Sequence, residues 1–436
     1  MSRITRRTFV KAAAASVPLI VSRSALGDEK KDSAANRLGV GFIGMGIQSR
    51  GHVGFCLNAK ETQVLAVCDV DTTRREAAQK TVEQKYADAT KSGTYKGCAA
   101  YNDFRELLAR PDIDAVVICT PDHWHAIPCL EALKAKKDIY CEKPLTLTIH
   151  EAKSLIDATR KQERVFQTGS QQRSSNEFRL ACELVRSGRI GKLETVYVNV
   201  GTSSKPCDLP EEKMEDGLDW DRWLGPAPKR PYNSILSPRG VHNFFPNWRN
   251  YREYSGGMMT DWGAHHFDIA QWGLGMDESG PVEIIPPEDK KAMHGLKYIY
   301  ANGVPVIHTE KDADGKPVDG VVFVGSNGRI QVNRGKLSSN PEGIIKEPLT
   351  EKDVHLYKSP GQQRDWVNCI KSRKRPICDV EIGARSVTVC HLGNIAYWTR
   401  ERFKWDPKGW RFVGASAEVE KWLDRERRSP WELPKV

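Results

Sequence analysis

The 436-residue sequence has no C-x-x-C pair and no short cysteine–histidine cluster with structural-zinc spacing, although it contains 11 cysteines. That excludes a zinc finger or ribbon and a thioredoxin-like redox pair. An odd cysteine count without paired spacing also argues against a disulfide scaffold. Beyond residue 27, no apolar run approaches the roughly 20 residues a membrane-spanning helix needs. Internal repeats and low-complexity tracts are missing too, which removes solenoids and propellers from consideration. Acidic residues are absent from positions 1–27, whereas Arg3, Arg6, Arg7, Lys11 and Arg23 lie there, so half of the +10 formal charge belongs to that stretch. The rest is a mild solubility charge spread over a chain with 28% charged residues, and it does not point to nucleic acid.

Those first residues read as an address. Thr5-Arg6-Arg7-Thr8-Phe9-Val10-Lys11 resembles the twin-arginine export consensus, an apolar run from Ala12 to Val21 follows, and Ala25-Leu26-Gly27 offers small residues to a peptidase. The expectation is a signal peptide over 1–27 and a polar linker over 28–37, on a protein exported to the periplasm by the twin-arginine machinery. That route carries folded proteins, which suits thiols packed as small hydrophobes in the cytoplasm before export.

From Leu38 onward short apolar runs alternate with helical stretches of about a dozen residues, the grammar of βαβ units and a parallel sheet. Strands are predicted at 38–44, 63–69, 115–119, 138–141 and 164–168. After about residue 172 the strands come without long helices between them (193–200, 281–286, 297–300, 304–309, 320–324 and 329–332), separated by Gly, Asn and Asp turns. That predicts an α/β chain: a Rossmann domain over 38–172 and an α+β domain over 173–436 with an open, mainly antiparallel sheet. The Trp-, Pro- and Gly-rich stretch 217–257, between the 193–200 and 281–286 strands, is a candidate pocket wall. The segment from Phe403 to the last residue carries no chemical signal.

Gly44-Met45-Gly46-Ile47-Gln48-Ser49 lies directly after a strand and opens a helix. The first glycine permits a tight turn and the second lets backbone approach a pyrophosphate at the helix N-terminus. Ser49 stands where a third glycine is usual. Asp69 ends the second strand, where a carboxylate suits a ribose 2′-hydroxyl and repels a 2′-phosphate, so NAD is favoured. Arg74 keeps NADP open. Gly44, Gly46, Ile47, Gln48, Asp69 and Arg74 are therefore candidate cofactor residues.

Two further strand ends carry Thr120-Pro121-Asp122-His123-Trp124-His125 and Glu142-Lys143-Pro144, placing Thr120, Pro121, His125 and Glu142 beside the same ligand. Lys143 at such a position can hydrogen-bond a substrate hydroxyl and favour loss of its proton. In Gly256-Gly257-Met258-Met259-Thr260-Asp261-Trp262-Gly263-Ala264-His265-His266, helical spacing puts Asp261 and His265 on one face as a carboxylate–imidazole pair. Adjacent histidines on a helix point about 100° apart, which disfavours a shared metal at His265 and His266, and no metal is expected. Tryptophans 220, 223, 248 and 262 suit stacking on pyranose faces or plain core packing. Arg173, Trp248, Arg249 and His266 are the candidate substrate contacts.

Together, the glycine turn at 38–51, Thr120-Pro121 with His125, Glu142-Lys143-Pro144 and the Gly-Gly…Asp261-x-x-x-His265 segment resemble the glucose–fructose oxidoreductase / inositol dehydrogenase / rhizopine-catabolism family (Gfo/Idh/MocA), in an exported branch. The resemblance implies an NAD(P)-dependent oxidoreductase acting on a hydroxyl or carbonyl of a sugar or cyclitol. It implies that Lys143 contacts substrate and cofactor, that His265 is the acid/base, and that Asp261 is its partner. A homo-oligomer is expected. Export implies a tightly held cofactor, since no nicotinamide pool exists outside the cytoplasm. A glycosidase using bound NAD for transient oxidation and a non-catalytic sugar-binding protein are the alternatives.

Overall fold

A computed structural model describes residues 37–436. The export segment and all but the last residue of the linker lie outside the described residues.

The first half forms a six-stranded, all-parallel sheet in the order β3-β2-β1-β4-β5-β6. Its strands are β1 (Leu38–Ile43), β2 (Thr62–Cys68), β3 (Ala99–Tyr101), β4 (Ala115–Ile118), β5 (Asp138–Cys141) and β6 (Phe166–Thr168). The near-continuous Val, Ile and Ala runs are those of strands covered on both faces. Helices α1 (Ser49–Asn58) and α2 (Thr72–Lys85) cover one face; α3 (Phe104–Leu108), α4 (Ala126–Lys134) and α5 (Ile149–Gln162) cover the other. Edge strand β3 escaped sequence reading because three half-buried residues show no periodicity.

The second half is built on a nine-stranded sheet, β13-β12-β11-β7-β10-β9-β8-β14-β15, in which only β7 and β10 pair in parallel. Its strands are β7 (Leu193–Val198), β8 (Pro281–Ile285), β9 (Leu296–Tyr300), β10 (Pro305–His308), β11 (Val321–Gly325), β12 (Gly328–Asn333), β13 (Lys336–Asn340), β14 (Phe403–Asp406) and β15 (Arg411–Val413). One face packs on α6 (Asn176–Arg186), α7 (Gly263–Leu274) and α9 (Val380–Thr399). The last two strands come from the segment that carries no chemical signal in the sequence.

Helix α8 (Gln362–Ser372) crosses back to the first sheet. Its Trp366, Val367, Cys369 and Ile370 share the core of Val40, Phe42, Val64 and Tyr140, and Trp366 meets the Tyr140 ring edge-on at 5.8 Å. One hydrophobic core also runs without a break from α4 and α5 through α9 into the second sheet. Eleven cysteines are free; nine are buried, and Cys119 and Cys207 are half-buried.

Candidate active site

The carboxyl ends of β1, β2, β4 and β5 open into a cleft of about 380 Å³, roofed by 217–249, the start of α7 and the β12–β13 turn. Gly44, Gly46, Ile47, Gln48, Asp69, Arg74, Thr120, Pro121, His125, Glu142, Lys143, Trp248, Arg249, Asp261 and His265 all line it. Open parallel sheets bind ligands at this place.

The glycine turn has the geometry its sequence predicts. Gly44 sits at φ +88°, and a Cβ there would lie 2.7 Å from the Cys119 carbonyl. A Cβ on Gly46 would meet nothing within 4 Å, so that side of the turn faces open space where a ligand can come close. Ser49, in place of the third glycine, is buried and closes the turn by donating from Oγ to the Gly46 carbonyl at 2.7 Å. No side chain caps the start of α1 and no acid occupies its first turn, which leaves its partial positive charge for an anion. Asp69 accepts from the Met45 amide at 2.6 Å and the Asp71 amide at 2.8 Å, while burial raises the pKa of its carboxyl. The Thr120 hydroxyl is buried without a protein partner. A cradle that side chains would fill and an orphaned polar atom both fit a dinucleotide. Arg74 donates to the Gly240 carbonyl at 3.0 Å and also to that of Pro238, so its guanidinium is committed to the roof rather than free for a 2′-phosphate.

His125 borders the cleft in a positioning role. Its ring donates from both nitrogens, to Pro144 O at 2.8 Å and Thr120 O at 2.9 Å, tying the two loops together. Burial opposes a charge on this ring, but the Cys141 sulfur, the Asp122 carboxylate and the Pro144 carbonyl outweigh it and lift its pKa to about 10. Glu142 is buried and accepts from His52 at 2.8 Å and Gln48 at 3.0 Å, locking β5 against the glycine turn.

At the other end, Lys143 Nζ donates to Asp261 Oδ1 at 2.7 Å and to Asp261 O at 2.9 Å. Arg249 Nε lies 3.6 Å from the same carboxylate. Burial alone would raise the Asp261 pKa, yet the two cations hold its carboxyl below the usual range. An ammonium has three protons, so Lys143 keeps one for a ligand. His265 is 3% exposed and its Nδ1 has no protein partner. Burial, with Lys143, Arg334 and His266 nearby, pushes the imidazole pKa well down, which leaves a neutral ring able to accept a proton.

Three expectations are corrected. Asp261 partners Lys143 rather than His265: the helical hydrogen bonding is interrupted at Trp262, where the His265 amide bonds the Trp262 carbonyl instead of that of Asp261, whose carbonyl and carboxylate both take Lys143. Arg173 is not a substrate contact; it is 1% exposed and bidentate to Asp268 at 2.8 and 2.9 Å, with Asp277 at 2.7 Å. His266 turns away from the cleft and bonds the Asn199 carbonyl at 3.1 Å. Of the tryptophans, 223, 248 and 262 line the cleft, whereas Trp220 stacks on Trp223 at 4.7 Å behind it. Sequence reasoning missed Arg334, whose guanidinium lies 4.5 Å over the Trp262 ring, and Trp431, because only long-range folding brings them to the cleft. A lone arginine on an Asn-Arg-Gly hairpin turn gives no signal of its own.

This is the architecture of a dinucleotide-binding oxidoreductase with an appended substrate sheet. The chain matches "Oxidoreductase family, NAD-binding Rossmann fold" over residues 38–170 and "Oxidoreductase family, C-terminal alpha/beta domain" over 191–433, and it belongs to that family (GFO/IDH/MocA). It is 27% identical over 237 residues to myo-inositol 2-dehydrogenase of Thermotoga maritima, covering 54% of each chain. It is 30% identical over 222 residues to alpha-N-acetylgalactosaminidase of Shewanella oneidensis, covering 46% of this chain and 47% of that one. The chain thus spans about half the length of the curated relatives it matches. Among solved structures, the WlbA dehydrogenase of Bordetella pertussis, in complex with NADH and UDP-GlcNAcA, shares the fold at TM-score 0.56 and 16% identity, over 85% of this chain and 99% of that one. Aldose-aldose oxidoreductase of Caulobacter crescentus, complexed with glycerol, does so at 0.55 and 16%, over 85% and 100%.

Proposed function

We propose that this protein is an NAD-dependent oxidoreductase acting on a secondary hydroxyl, or the corresponding carbonyl, of a sugar or cyclitol. The observation that carries the reading is the meeting of the glycine turn, the Lys143–Asp261 pair and the neutral His265 around one cleft. NAD, when bound by the turn, Asp69 and Thr120, supplies the hydride acceptor. Lys143 donates its remaining N–H to the substrate oxygen and steadies the negative charge that develops there. His265 takes the hydroxyl proton, which its lowered pKa permits without prior deprotonation. Asp261 fixes the ammonium, while Arg249, held over the Trp248 ring at 4.1 Å, offers the substrate a cation. The myo-inositol 2-dehydrogenase relative supports a polyol substrate.

The test is to denature natively purified protein, assay the supernatant for nicotinamide, and then screen sugars and inositols at the nicotinamide absorbance. Protein that neither carries nor binds a nicotinamide dinucleotide would refute the reading. A second outcome has its own support in the alpha-N-acetylgalactosaminidase relative: hydrolysis of a chromogenic N-acetylgalactosaminide with no net NADH would identify redox-neutral glycoside cleavage.

We further propose twin-arginine export with the cofactor already bound, supported by the Arg6-Arg7 motif. Replacing both arginines by lysine is expected to leave the protein in the cytoplasm; unchanged periplasmic recovery would discard this route. The expected homo-oligomer is tested by light scattering.

A further inference from the structure

The segment 421–436 leaves the second domain and crosses back over the first. Its anchor is Glu151, a fully buried carboxylate in the first turn of α5. Arg425 reaches Glu151 Oε1 at 3.0 Å and donates to the His123 carbonyl at 2.6 Å; Arg427 reaches the same Oε1 at 2.9 Å. Asp424 accepts from Thr148 Oγ1 at 3.1 Å, and Arg428 bonds Asp221 at 2.6 Å and the Gly225 carbonyl at 3.0 Å. A buried carboxylate held by two arginines makes a rigid attachment, since exposing any member leaves an uncompensated charge.

The attachment delivers one side chain to the cleft. Trp431 is 7% exposed, meets Trp124 edge-on at 4.9 Å, and lies under the Arg105 guanidinium at 5.3 Å. It lines the cleft together with Asp69 and with Asn102, Asp103 and Phe104, which follow β3. That is the adenosine side of a sheet of this order, where the β2 carboxylate meets the ribose. The Trp431 indole N–H is shut off from the open cleft, with no acceptor among the described residues, so the ring rather than the N–H faces a ligand. The flat indole at that end gives an adenine ring an apolar surface to pack against.

We infer that Trp431 belongs to the dinucleotide site. It closes the adenosine end with its indole ring, and the arginine-anchored strap must lift before the dinucleotide can leave. This rests on the NAD reading above and adds a structural cause for the retention that export demands.

The test measures release of bound nicotinamide dinucleotide, by desalting followed by assay of the denatured supernatant and by NADH fluorescence after dilution. Trp431→Ala and the double variant Arg425→Gln/Arg427→Gln are expected to release it at least about tenfold faster than wild type. Trp431→Phe keeps an aromatic ring at the site with a smaller surface, so it folds where the others fail, and release should quicken several-fold. Equal release rates in wild type and in folded Trp431→Phe and Trp431→Ala, with wild type binding NADH, overturn the strap alone. Wild type that binds no NADH overturns the strap and the underlying reading together.

Discussion

A Cβ on Gly44 would strike the Cys119 carbonyl at 2.7 Å with φ at +88°, whereas a Cβ on Gly46 would meet no protein atom within 4 Å. The two glycines therefore separate folding from binding. Gly44→Ala should lower thermal stability. Gly46→Ala should leave the melting of the cofactor-free protein within about 0.5 kcal/mol of wild type while weakening NADH binding by tenfold or more in a fluorescence titration. Intact NADH affinity in Gly46→Ala would mean that the turn faces no pyrophosphate. Lys143 invites the complementary experiment. Lys143→Met removes the ammonium paired with Asp261 and should cut turnover by about 10²–10⁴-fold with nicotinamide content unchanged. Turnover that survives would relocate the chemistry.

At the level of elements, the same side-chain types do different work according to the helix they meet. Arg173, in the turn Gln171–Ser174, staples α7 through Asp268, which also accepts from Ser386 of α9 at 2.6 Å. Removing the guanidinium strands a buried carboxylate, so Arg173→Leu should cost about 3–5 kcal/mol in denaturant unfolding and leave the substrate KM of the folded fraction unchanged. A raised KM without lost stability would return Arg173 to the substrate. This residue also shows what the sequence can and cannot convey. The parallel strands, the glycine turn, Glu142-Lys143 and the antiparallel second sheet were legible because each depends on local pattern: uninterrupted apolar runs, a strand-to-helix glycine turn, alternation. Whether an arginine faces a ligand or a buried aspartate depends on contacts 95 residues apart, and no local spacing encodes that. Asp261 and His265 were read as a pair from helical spacing, and a single break at Trp262 reassigned the carboxylate to a lysine 118 residues away. Trp431 and β14–β15 were missed for the same reason.

Across the whole molecule the two halves interpenetrate: α8 completes the core of the first sheet, and 421–436 straps across it. Unfolding should therefore expose buried groups of both halves together, and its pH dependence reports them. His123 is held neutral with its pKa pushed down to about 3, and His266, His308 and His391 to about 4; burial is the largest cause in each. Their folded values lie below the ordinary 6.5, so between pH 6.5 and about 4 the unfolded chain binds protons that the folded chain refuses. Their contribution is complete above pH 6.5 and is lost on acidification, by up to about 1.4 kcal/mol per pH unit for each ring. Asp122 opposes this: burial lifts its pKa to about 6, so the folded state takes that proton first and gains stability as the pH drops through 6. His125, with its pKa near 10, is charged in both states below 6.5 and contributes no slope there, although its stabilisation is lost as the pH rises from 6.5 toward 10. His265 acts with these rings and Asp69, Asp114 and Asp268 with Asp122, but Glu142, Glu151 and Asp261, held low by their partners, also lose stability on acidification and tip the balance that way. The melting temperature measured by calorimetry should fall steadily from pH 6.5 to 4.5, with net proton uptake on unfolding. A melting temperature that stays level or rises over that interval would show these histidines to be solvated and the shared core to be open.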